Sequence, residues 1–160
     1  MSYSFPHQDP SFRDRYPQGT PQNPHVRELR GRTLVSSTIT PWDIGHGRGT
    51  RQSDRDAVNA AGTPVPQQVG IEYSGSHGFG GYGEHVNPVP APGQSYQAGH
   101  PLGRQFGGGG PYFPQDPTTN MGHAGTFPVW RAHENEIRRA AELRPVQATT
   151  SLYYRPRQTY

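Results

Sequence analysis

Residues 69–85 read VGIEYSGSHGFGGYGEH, and whether this run is strand, cofactor loop or spacer decides the fold. Val69, Ile71 and Tyr73 alternate, so a short strand suits the first half. Gly78, Gly80 and Gly83 stand in the spacing G-x-G-x-x-G, which cradles a pyrophosphate when a strand precedes it and a helix N-terminus comes after it. The chain continues instead as EHVNPVPAPG, with Pro88, Pro90 and Pro92 where that helix should run. Alternating prolines remove donors and hold the chain near polyproline II, so no helix end is expected there and no cofactor. The run reads as part of a spacer.

Composition points the same way. Gly (21) and Pro (18) make up about a quarter of the 160 residues, and Leu, Ile, Val and Phe together number 24. That is less than a domain usually needs for its own core. Ordering so long a chain costs on the order of 200 kcal/mol of conformational entropy, which few large apolar side chains can offset. The expected fold class is therefore mostly irregular and extended, with low regular structure and no autonomous globular domain. Net charge is only +3, yet there are 9 Tyr, 6 Phe and 2 Trp, the preferred anchors of interfaces. Such a chain is expected to order on a partner.

Charge divides the sequence into three segments. Residues 1–55 carry 8 Arg against 5 acids, 56–127 carry 1 against 4, and 128–160 carry 6 against 3. The first is read as an extended Arg/Pro-rich segment, the second as a Gly/Pro/His-rich linker with aromatic anchors, the third as a helix with a Tyr/Arg tail. Within them, RTLVSSTIT alternates β-branched residues and predicts a strand-like segment over 33–39. SDRDAVNAAG predicts a short helix over 54–61, with Ser53 as cap and Gly62 as stop. In VWRAHENEIRRAAELR, Trp130, Ile137 and Ala141 fall near one face, which predicts an amphipathic helix over 130–144 ended by Pro145. A second strand-like segment is expected over 147–154.

Several chemistries are excluded. There is no cysteine and no lysine, so thiolate nucleophiles, disulfides, Schiff bases and a P-loop lysine are absent. His77, Glu84, His85 and His100 could ligate a metal, but glycine and proline fix no geometry, and His133 with Glu134 and Glu136 lacks the H-E-x-x-H spacing. The latter three read as a solvated face. Paired carboxylates need a walled pocket, which an extended chain does not supply. The expectation is no enzyme, no metal and no small-molecule substrate. The N-terminus MSYSFPHQDPSF has no signal-peptide run, and no 18-residue apolar stretch exists, so an intracellular, non-membrane chain is expected.

The turn-rich N-terminal third and the tail TSLYYRPRQTY mix Tyr, Arg and Pro. Here the chain resembles the short extended proteins that line ciliary and flagellar doublet microtubules. The resemblance covers the N- and C-terminal thirds. It implies a non-catalytic structural accessory protein lying along a tubulin lattice beside neighbouring accessory proteins, in the cytoskeleton of the cilium. Trp42, Trp130, Ile137, Tyr153, Tyr154, Arg155 and Tyr160 are the expected partner-binding residues. A capsid or particle cement protein would use the same anchors. The remaining alternative is a flexible RNA-associated or condensate-forming protein, because GHGRGTR and YYRPR interleave arginine with glycine or tyrosine.

Overall fold

Thr149, Thr150 and Val146 are β-branched and suit an extended chain, and they lie in the strand at the centre of the molecule. The computed structural model describes residues 10–47, 49–108, 110–117 and 128–154. Its main sheet joins β1 (His25–Leu29), β2 (Arg32–Ile39), β3 (Gln68–Ser74), β4 (Gly80–Val86) and β7 (Val146–Tyr153) in the order β1-β2-β7-β3-β4, with every neighbour antiparallel. A two-stranded ribbon, β5 (Gln97–Gly99) with β6 (Phe113–Gln115), is hydrogen-bonded separately from it. The described helices include α1 (Pro10–Arg15), α2 (Gln52–Val58) and α3 (Pro128–Ala141).

The chain is therefore mostly β, and the expectation of a mostly irregular, extended chain with isolated strand-like segments is overturned. The two segments foreseen over 33–39 and 147–154 are direct neighbours, with Val35 opposite Thr150 and Ile39 opposite Val146. The supposed linker supplies β3 and β4, whose antiparallel register sets Ile71 against Gly83 and Tyr73 against Gly81. Glycines weaken a strand by intrinsic preference, but β3 is paired on both sides, and that pairing overrides the preference. Gly78, Gly80 and Gly83 thus belong to a hairpin turn and its second strand.

One sheet face carries the larger core. Val35, Ile39, Ile71, Tyr73, Val146 and Ala148 pack with Ile137 and Ala141 of α3 and with Leu102 and Phe106 from the glycine-rich stretch. A hydrogen-bonded latch adds to this packing. The Tyr73 hydroxyl donates to Glu136 Oε2 (2.8 Å) and meets His133 Nδ1, so two residues read as solvated hold α3 to the sheet. Burial, then the bond and charge of Glu136, raise the Tyr73 pKa and keep the hydroxyl protonated. On the opposite face, which also buries Leu34, Ser36 and Thr149 share a buried 2.8 Å hydrogen bond. At its margin, Arg15 and Tyr16 at the end of α1 both bond Glu72.

Ile137 has no exposed surface. Ile137→Val should cost about 1 kcal/mol of stability in the isolated chain, the usual loss for one buried methylene. Denaturant unfolding checks this, and an unchanged midpoint would place the side chain outside the core. Among the described residues, no helix is long and apolar enough to cross a membrane.

Candidate functional site

Strands of three residues cannot hold themselves in place, so the position of the β5–β6 ribbon depends on its surroundings. Phe113 is buried against Val69 and Leu152 of the main sheet. Asn59, at the end of α2, donates through Nδ2 to the Tyr96 carbonyl (2.9 Å) and accepts from the Tyr96 N–H (3.1 Å). His100 comes directly after β5, and the next carbonyl, that of Pro101, accepts a hydrogen bond from Thr150 Oγ1 on the central strand.

The His100 ring is thereby placed against Tyr112 in an edge contact, centroids 4.9 Å apart at 76°. Its Nε2 lies 3.5 Å from Thr50 Oγ1, the outer limit of a hydrogen bond. The residue before it must be glycine. A Cβ at position 99 would stand 2.6 Å from Gln115 Oε1 and 2.8 Å from Phe113 Cζ.

His100 faces a cleft of about 620 Å³ between α2 and β5, lined also by Thr50, Arg55, Asp56, Asn59 and Tyr96. A second groove of about 840 Å³ lies over the β1 end of the sheet, on Val26, Leu152 and Tyr154. Tyr112 lines that groove and touches His100, so one ring stands between the two spaces. Burial pushes the Tyr154 hydroxyl pKa up and the Glu28 charge adds to it, against a hydrogen bond to Thr33 that lowers it.

No protein-family model, curated protein or solved structure matches the chain.

The residues offered to a partner are dispersed. Trp42 sits in a 3-10 turn (Pro41–Asp43), 61% exposed and stacked on His46 at 4.4 Å. Asp43 Oδ2 fixes that turn by accepting from the backbone N–H and hydroxyl of Thr40, both at 2.8 Å. Ile137 lies within the core, and Tyr153 is buried with the Arg32 guanidinium 5.8 Å above its ring. Tyr154 is half-buried in the groove wall. Trp130 falls in the first turn of α3 with its side chain outside the described set, and Arg155 and Tyr160 lie outside the described residues.

The histidines considered for a metal are also separated in role. His77 occupies the turn before β4 with φ 57°, whereas His85 is buried on β4. Among the described residues, no three His, Cys, Asp or Glu side chains are grouped to hold a metal ion. Burial lowers the His85 pKa to about 4, with Glu84 opposing the shift. The unfolded chain therefore binds this proton first. His85 should leave stability unaffected above its ordinary value of 6.5 and cost about 1.4 kcal/mol per pH unit as pH falls from there toward 4. Urea midpoints for wild type and His85→Gln across that window check it: the variant should lack this part of the acid slope.

Sequence reasoning named His100 but missed Arg55, Asn59 and Gln115. Arg55 and Asn59 are ordinary polar residues until α2 and β5 form one cleft, and Gln115 until it packs on Gly99. The short alternations around Gln97–Gly99 and Phe113–Gln115 were the available signal, too brief to separate from chance.

Proposed function

We propose that this protein is a hydrolase of phosphodiesters, with a single nucleic-acid strand as its substrate class. The observation that carries the reading is His100, placed between Gly99, which pairs with Phe113 of β6, and Pro101, whose carbonyl accepts from Thr150 of the central strand; its ring contacts Tyr112 and faces a cleft lined also by Arg55. An extended chain walls no pocket, which is why the sequence argues against catalysis. The folded sheet removes that objection.

The chemistry is set by the residue types. A guanidinium offers planar, paired donors that suit a phosphate, so Arg55 holds the diester at the cleft mouth. His100 accepts a proton from an attacking water as the water oxygen bonds to phosphorus. The bond to the leaving oxygen breaks, and that oxygen takes a proton from solvent.

The test is incubation of the purified chain with a fluorescein-labelled single-stranded oligonucleotide, with and without magnesium, read as fragments on a gel. Shortened products that vanish in His100→Ala support the reading. Intact oligonucleotide at enzyme excess in both buffers counts against it.

One observation favours a second reading, a non-catalytic accessory protein seated on a larger assembly such as a microtubule lattice. Trp42 is a large aromatic held rigidly in solvent, the form of an interface anchor. Trp42→Ala should then release the chain from that assembly without lowering its unfolding midpoint. Equal retention of variant and wild type after a salt wash would remove this reading.

A further inference from the structure

Asn87 lies just past the end of β4, buried and away from the cleft lining, yet it controls the strand beneath His100. Its Nδ2 donates to the Pro66 carbonyl (2.8 Å) and to the Pro114 carbonyl (2.9 Å), and its Oδ1 accepts from the Asp116 N–H (2.9 Å). Its own N–H donates to the Gln67 carbonyl (2.8 Å). Both amide hydrogens and a carbonyl lone pair are used, which only an asparagine-like amide can do here.

The two ribbon groups that Asn87 holds flank Gln115 on both sides. Gln115 is itself buried, and its Oε1 lies so near Gly99 that no Cβ fits there. Gly99 pairs with Phe113 and leads into His100. A rotation of β6 would therefore move Tyr112 on one side of the histidine and Gly99 on the other. We infer that Asn87 is a positioning residue: it sets the angle of the β5–β6 ribbon and so the placement of His100 against Tyr112 in the cleft. Its kinetic consequence rests on the catalytic reading, whereas its geometric role stands without it.

Asn87→Asp keeps the shape and the acceptor for Asp116 and removes both donors, setting a carboxylate against two carbonyl oxygens. Two readouts are needed: the NMR cross-peak between the His100 and Tyr112 rings, and oligonucleotide cleavage as kcat and KM. The expected result is loss of the ring contact and a kcat lower by about 10²-fold with KM little changed, because a displacement of about 1 Å is enough for such a loss. Amide protection in β3 and β7 should stay as in wild type. A residue that served stability alone would lower the unfolding midpoint while leaving the ring contact and kcat per folded molecule intact, and that result overturns the inference. If Asn87→Asp does not fold, Asn87→Ser, which keeps one donor and one acceptor, is measured the same way. Failure of both to fold would also overturn it, since Asn87 would then support the whole framework. Should the wild type cleave nothing, the catalytic reading fails and the ring contact decides the role of Asn87.

Discussion

Gly108→Ala is expected to destabilise the protein by about 3 kcal/mol or more, the upper range for overpacking against atoms that cannot turn aside. A Cβ at this position would overlap the Leu102 carbonyl oxygen, 2.8 Å from its carbon and 3.2 Å from the Gly103 oxygen. All three are backbone atoms. The Gly108 and Phe106 N–H groups both donate to the Gly103 carbonyl, at 3.3 and 2.8 Å, and close the loop on itself. Leu102 and Phe106 project from that loop into the core, 3% and 1% exposed. Relieving the overlap would move one or both out of the sheet. Urea unfolding of the isolated variant checks this; a midpoint equal to wild type would mean that QFGGGG is a spacer with no part in the fold.

His100→Ala is expected to lower kcat/KM for oligonucleotide cleavage by about 10²- to 10⁴-fold, the usual contribution of a positioned acid–base group. That corresponds to about 3–5 kcal/mol of transition-state stabilisation. Stability should change little. The ring is half-exposed rather than part of the core. Arg55→Ala should instead raise KM more than it lowers kcat, because it removes a contact to the phosphate in both bound substrate and transition state. Equal cleavage by His100→Ala and wild type would move the chemistry elsewhere or remove it.

The strand at 33–39 could be read in the sequence because β-branched residues alternate there, the one at 147–154 as a strand-like tail beyond Pro145, and the C-terminal helix because Ile137 and Ala141 share a face. Their assembly could not be read. A count of Leu, Ile, Val and Phe leaves out residues that fill this interior, among them Tyr73, Ala98, Ala141, Ala148, Ser36, Thr149 and Thr150, all of which are buried. The hydroxyl residues are tolerated there because they find partners, as Ser36 does in Thr149 and Thr150 does in Pro101.

The hairpin of β3 and β4 was obscured for a different reason. Gly70, Gly80, Gly81 and Gly83 carry no strand preference of their own, and the pairing of β3 with β7 joins residues 73 to 85 positions apart. His100 was legible as a reactive side chain but its cleft was not, since β5, β6 and α2 meet only once the sheet exists. The seven residues read as anchors share aromatic, aliphatic or cationic chemistry. Exposure separates Trp42 from Ile137 and Tyr153, and exposure is a property of the fold.

Native-state hydrogen exchange over residues 68–86 of the isolated chain tests most directly the claim that this glycine-rich stretch belongs to the sheet. Amides of β3, paired on both sides, are expected to exchange as slowly as those of β7, through global unfolding, with β4 protected to a lesser degree as an edge strand. Exchange of residues 68–86 at the rate of an unstructured peptide, while β2 and β7 remain protected, would contradict it.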